Sequence, residues 1–303
     1  MCTAYNPSVV LRQRHDTATW CHLHTIMQEK REKISATLTH GEIVHSMAST
    51  LALFWWLSAA DRDARLQGSD ALVEALVDQS TEGVLNAPPG EPEPLSDVVT
   101  EEDARISEQR LDELTTADVN YSVRRLIRGL ASPRENARIG FAVVLSELLS
   151  HLPSVCAHDI LVLLLKHTVA RGNLSGQELR DLQFSRLFGV FALVRSGLLY
   201  APTSSLATFQ RAFHVLSKVA YYKSWISESC GWIVMQMLLP LARDNVSRPP
   251  WANEALDWVA GCLAATHSLS PETLALALTL ARIAPELNIG SVSYTHLRAH
   301  ETP

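Results

Sequence analysis

From Tyr121 to Leu149 the chain reads YSVRRLIRGLASPRENARIGFAVVLSELL. This is the grammar of two helices joined by a tight corner. Val119, Val123, Leu126, Ile127 and Leu130 recur at helical spacing and form one apolar face. At 100° per residue Arg124, Arg125 and Arg128 fall on the opposite side. Gly129 and Ala131 loosen the end of that helix. Ser132-Pro133-Arg134-Glu135 opens the next one: the serine can accept a first-turn amide, the proline has no amide to lose, and the glutamate can reach back. Ala137, Phe141, Val144, Leu145, Leu148 and Leu149 make the second apolar face. Arg134 and Arg138 flank it, one turn apart.

The same grammar continues outward. A helical pair is expected from about Met47 to Val77, with Trp55-Trp56 as a buried apolar cap. Further helices are expected near Cys156–Arg171, Gly176–Leu199, Thr203–Tyr222, Trp225–Arg243, Ala252–His267 and Pro271–Ala284. Ser175-Gly176-Gln177-Glu178 reads as a capping box and Ser270-Pro271 as a helix start. Breakers fall about every 20 residues, so helical pairs of about 40 residues follow one another, the period of HEAT or armadillo arrays. No stretch alternates as a strand would. The spacing therefore predicts an all-α chain, arranged as an α-solenoid of helical pairs over about 49–290.

Three segments stand outside that array. Residues 1–48 form a leader read as poorly ordered or non-native. GVLNAPPGEPEPLS at 83–96 is breaker-rich, and with the acids after it, about 81–104, it reads as a mobile acidic loop. The tail SVSYTHLRAHETP, 291–303, has no apolar face and resembles translated adapter sequence, so it is set aside from the fold.

Composition bounds the rest. Apolar residues make up 47% and charged residues 19% of 303, which marks a folding chain rather than a disordered one. The net charge of −6 gives no global case for nucleic-acid binding. The charge is polarised, however. Residues 91–118 hold ten acids against two arginines, while 121–149 hold five arginines against two glutamates. Binding to an acidic polymer would have to be local. Five scattered cysteines with no CxxC spacing read as reduced, mostly buried small apolar residues of an intracellular protein. No run is long and apolar enough to span a membrane.

Reaction chemistry is sparse. CHLH at 21–24, with His40 and His45, fits no zinc spacing. Asp61-Arg62-Asp63 is the sole DxD and sits at a helix start, where acids favour the dipole. No phosphate loop, metalloprotease motif or nucleophile elbow occurs. The reading is therefore no catalytic residue, no metal, no cofactor and no small-molecule substrate.

The quoted stretch also resembles a known family pattern, roughly Y-x-x-x-R-L-x-R-G-L-A-S-x-R-x-x-A-R-x-G-F-x-x-x-L-x-x-L-L. Tyr121, Arg125, Leu126, Arg128, Gly129, Leu130, Ala131, Ser132, Arg134, Ala137, Arg138, Gly140, Phe141, Leu145, Leu148 and Leu149 supply it. Phe54-Trp55-Trp56-Leu57-Ser58, Phe184-Ser185-Arg186-Leu187-Phe188-Gly189 and Trp225-Ile226-Ser227-Glu228-Ser229 resemble three more of its segments. The family is the DNA polymerase phi / Myb-binding protein 1A-like family of nucleolar "DNA polymerase V" proteins. The likeness runs from about Leu51 to Asn288 and covers only the family's N-terminal part, so the chain reads as a fragment.

The resemblance implies an α-solenoid in the nucleus and nucleolus. It implies roles in ribosomal-DNA transcription, ribosomal-RNA production and ribosome biogenesis. Its partners would be ribosomal DNA or pre-ribosomal RNA and proteins of that machinery. Three readings follow: a non-enzymatic nucleolar scaffold that binds DNA or RNA, a purely protein-binding transcription co-regulator adaptor, and the DNA-directed polymerase of the family's name. On the first, Arg124, Arg125, Arg128, Arg134 and Arg138 are the candidate nucleic-acid or partner contacts. On the second, they pair internally with acids such as Glu113, Asp118 and Glu147.

Overall fold

The computed structural model describes residues 50–77, 99–242, 247–266 and 270–287. The leader, most of the 81–104 loop and the 291–303 tail lie outside them. The described residues are all helical, with no strand among them. The α-helices are α1 (Thr50–Trp56), α2 (Arg62–Val77), α3 (Glu101–Leu114), α4 (Ala117–Gly129), α5 (Glu135–Ser150) and α6 (Ala157–His167). They continue as α7 (Gly176–Arg195), α8 (Leu206–Tyr222), α9 (Ser224–Leu238), α10 (Ala252–Ala264) and α11 (Pro271–Ile283).

The ends follow from local chemistry. Ser175 and Glu178 form the expected capping box: Glu178 N donates to Ser175 Oγ at 3.2 Å, and Ser175 N donates to Glu178 Oε2 at 2.7 Å. Ser270 accepts from Thr273 N at 3.2 Å and opens α11. Helix α7 stops four residues short of its expected end because Gly197 takes φ +79°, the left-handed conformation that closes helices. Helix α9 ends before Pro240, which stands in a 3₁₀ turn. The corner before α5 also departs from the expected cap. Arg134 is the N-cap residue, and Ser132 Oγ accepts Arg134 N at 3.2 Å instead of a helical amide. Pro133 precedes that N-cap, two residues before the first helical residue, which shifts the serine away from capping range.

Helix α3 is the element that the sequence reading left out. Its acids suggested a solvated loop. Yet Thr100 and Asp103 form a capping box, and Glu101, Glu102 and Asp103 sit at the positive end of the dipole. Ala104, Ser107 and Leu111 supply a narrow buried stripe.

Two runs of neighbours organise the packing. Helices α2, α5, α7, α9 and α11 each pack on the next, and α3, α6, α8 and α10 do the same. Sequence neighbours α6/α7, α8/α9 and α10/α11 join the runs, and α4 lies on α5 and α6. Helix α5 packs on α2, α4 and α7 together. Its burial is therefore all round and not one-faced: Ile139, Ala142 and Val143 are buried beside the expected Val144, Leu145 and Leu148.

Aromatic pairs join one step of each run. Phe184 meets Trp225 at 5.3 Å and Phe191 meets Trp232 at 5.5 Å, both across α7 and α9 and both 41 positions apart. Phe209 meets Trp251 at 5.5 Å and Phe213 meets Trp258 at 5.2 Å, across α8 and α10. In each of the four pairs the two rings stand about one helical pair apart in sequence. One aromatic expectation fails. Trp55 is 76% exposed and Trp56 half exposed, because Phe54 of α1 and Leu57 just after it are the residues that turn into the core.

Candidate nucleic-acid interface

The five arginines on α4 and α5 meet different fates. Helix spacing puts Arg124, Arg125 and Arg128 on one side of α4, away from buried Val123, Leu126 and Ile127. Acids of α3 reach Arg124. Its Nη2 donates to Asp112 Oδ1 at 3.3 Å, and its Nη1 lies 3.8 Å from Glu108 Oε1. Glu108 also accepts from Lys166 Nζ of α6 at 2.9 Å, so this one carboxylate ties three helices together. Burial pushes Glu108 up, but Lys166 and Arg124 outweigh it and hold the carboxyl below its ordinary value. The partners are Glu108 and Asp112 rather than Glu113, Asp118 or Glu147, since α3 presents the former pair to α4. Glu113 instead accepts from Gln109 at 2.9 Å, and Glu147 lies 3.6 Å from His151.

Arg125 is held by rings. Its guanidinium lies 4.2 Å over Phe54 of α1, and its Nη1 donates to the Tyr121 hydroxyl at 3.0 Å. A stacked guanidinium keeps edge donors for a second partner. Arg128 is exposed. Its charge is felt by His167 at the end of α6. Burial lowers the His167 pKa, and the charges of Arg128, Lys166 and Arg124 lower it further against the pull of Glu108.

Arg134 is exposed at the corner. Arg138 is not on the surface: it is 6% exposed. Its Nη1 donates to Ser132 O at 2.7 Å and to Asp181 Oδ1 of α7 at 3.1 Å, and its guanidinium lies 4.5 Å over the Phe184 ring. It bridges the corner, α5 and α7. The glycines of the quoted stretch are packing positions too. A Cβ at Gly129 would stand 2.7 Å from the Phe141 ring, and one at Gly140 would stand 2.1 Å from Leu57 O.

The outward face forms a depression of about 510 Å3 lined by Asp112, Ala117, Asn120, Tyr121, Arg124, Arg125 and Arg128. It carries three cations and one carboxylate. Among the described residues no group of His, Cys, Asp and Glu side chains has metal-site geometry. Asp61 Oδ2 accepts Ala64 N at 2.7 Å and so caps α2. No described helix is long and apolar enough to cross a membrane. Sequence reasoning missed Asp112 on this face and Lys166 and His167 behind it; the Thr100-x-x-Asp103 cap was the signal that could have placed the first.

The family model for DNA polymerase phi matches residues 121–303, beginning at the head of the quoted stretch. The chain belongs to the DNA polymerase phi family. The match takes in the 291–303 tail that the sequence reading set aside. Three curated relatives are similar to this family member over shorter spans. The rDNA transcriptional regulator pol5 of Schizosaccharomyces pombe is 40% identical over 131 residues, 43% of this chain and 14% of that protein. The rDNA transcriptional regulator POL5 of Saccharomyces cerevisiae is 28% identical over 151 residues, 42% of this chain and 15% of that protein. Myb-binding protein 1A of Rattus norvegicus is 32% identical over 120 residues, 37% and 9%. The aligned part is thus a small fraction of each relative's length. No solved structure matches the chain.

Proposed function

We propose that this chain is part of a non-enzymatic scaffold that regulates ribosomal-DNA transcription and serves ribosome biogenesis. On this reading it holds nucleic acid, ribosomal DNA or pre-ribosomal RNA, and protein partners on a helical surface in the nucleus, at the nucleolus. The two runs of stacked helices, with ring contacts that join α7 to α9 between residues 41 positions apart, support an α-solenoid of HEAT/armadillo type. Two of the relatives are named as regulators of rDNA transcription. The observation that carries the nucleic-acid part is the depression on α4. There Arg128 is exposed and Arg125 is held by rings, so their donors remain for phosphate.

Fluorescence anisotropy with labelled DNA and RNA across a salt titration tests this. Charge reversal at Arg128→Glu and Arg134→Glu, both exposed, leaves the packing intact. The expected result is weaker binding and a salt slope smaller by about one per phosphate contact removed. Unchanged affinity and slope would reject the patch. The protein-binding adaptor reading has one observation in its favour: Arg124 already serves two acids of its own chain. Unchanged binding in the charge-reversal variants would transfer the case to it.

A further inference from the structure

We propose that Tyr121 is a stacking platform for an unpaired base, so that the α4 depression takes single-stranded or unstacked nucleic acid in preference to duplex. The inference rests on the nucleic-acid reading above and names the ligand's form. Tyr121 opens the outward face of α4 and is 50% exposed, unlike Val119 and Val123 on either side of it, which are fully buried. Its ring is not free to swing, because its hydroxyl accepts from Arg125, whose guanidinium is itself fixed over Phe54. A pre-set aromatic surface loses little conformational entropy when something stacks on it. Every nucleobase has a π face, so such a platform is tolerant of sequence.

The charges around the ring point to a base rather than to backbone alone. Asp112 lines the same depression, is 63% exposed in its side chain, and takes Arg124 and Asn120 Nδ2 on a single oxygen, Oδ1. A carboxylate repels phosphate but accepts from base amino groups. Arg128 lies two turns further along α4, about 10 Å up the axis at 1.5 Å per residue. The depression is therefore polar along its length. Its Tyr121–Asp112 end suits a base, and its Arg128 end suits the phosphate that follows. In a duplex both faces of each base are covered by its neighbours, so the ring has nothing to stack on and only the arginine end is used.

The test uses the full chain with a fluorescein-labelled mixed-sequence 12-nucleotide RNA, single-stranded or annealed to its complement, read by anisotropy. The wild type is expected to bind the single strand more tightly. Tyr121→Ala and Tyr121→Leu, the second keeping the apolar contact without a π face, are expected to lose roughly tenfold on the single strand. Their duplex affinity and salt slope should be unchanged, and Tyr121→Phe should stay within about threefold of wild type. Equal losses on both RNAs, or no loss in Tyr121→Leu, would overturn the platform. If Arg128→Glu weakens binding while Tyr121→Leu does not, the nucleic-acid reading stands and the stacking inference falls. If neither variant weakens it, both fall.

Discussion

Replacing Gly140 by alanine separates packing from propensity. Alanine is the better helix former by about 1 kcal/mol, so an exposed glycine in a helix gains stability from this change. At Gly140 the new Cβ would lie 2.1 Å from Leu57 O, 2.9 Å from Leu57 C and 3.1 Å from Leu57 Cα. All three neighbours are backbone, so no side chain can swing aside. Helix α5 or the turn after α1 must retreat by about 1 Å to reach the 3.0 Å that real Cβ contacts respect. Overpacking of this kind costs about 1–3 kcal/mol, and a backbone neighbour puts it at the upper end. Less the propensity gain, Gly140→Ala should destabilise the chain by about 2 kcal/mol. For a folded body of about 200 residues that lowers Tm by roughly 4–8 °C. Gly261 in α10 is the matched control, since a Cβ there meets nothing within 4 Å. Gly261→Ala should raise Tm by roughly 2–4 °C. Thermal melts followed by circular dichroism at 222 nm read both. A Gly140→Ala variant that melts at or above wild type would refute the close approach of α5 to Leu57.

The buried Arg138–Asp181 pair should behave as one unit. Arg138→Met strands a buried carboxylate and should cost about 3–5 kcal/mol in urea unfolding. Adding Asp181→Leu should recover much of that, and a double variant as unstable as the sum of the singles would reject the coupling. His167 has a depressed pKa in the folded chain, so the unfolded chain takes up its proton first as pH falls. Stability should therefore decline below about pH 6.5, and His167→Gln should flatten that decline between pH 7.5 and 5.5. Equal slopes in the two proteins would dismiss it. Burial raises the Asp159 pKa despite its bonds to Ser107 and Arg110, which means the site disfavours the charged form. Asp159→Asn, which keeps an acceptor for Ser107, should leave the urea midpoint unchanged or raise it, and a clear drop would show that the charge itself is needed.

Much of the helix order was legible because apolar periodicity and capping residues act locally. Ser175, Glu178 and Ser270 start the helices that the sequence assigns to them. What escaped was decided at a distance. Helix α3 has few apolar residues, and its place is fixed by contacts with later elements: Ser107 donates to Asp159 at 2.9 Å across 52 residues, and Lys166 reaches Glu108 across 58. Trp55 looks like a core residue by composition, yet the face it shares is set by Phe54 stacking near Phe141. The candidate site divides in the same way. The arginine cluster on α4 could be read from 100° spacing. Which of its members are already engaged could not, because that depends on acids from a helix the pattern did not reveal.

That division changes how the arginines should be probed. Treated as one patch, all five would be reversed together, and the variant would unfold for reasons unrelated to any ligand. Arg138 supports the corner and α7 from a buried position. Arg124 joins α4 to α3, so its reversal would place a carboxylate against Glu108 and Asp112. Arg125→Glu would set a negative charge over the Phe54 ring face that now holds a cation. Arg128 and Arg134 are the exposed members whose reversal disturbs none of these contacts. A loss of binding confined to those two, with the melt unchanged, can then be assigned to the surface. The same loss in an Arg124 or Arg138 variant cannot.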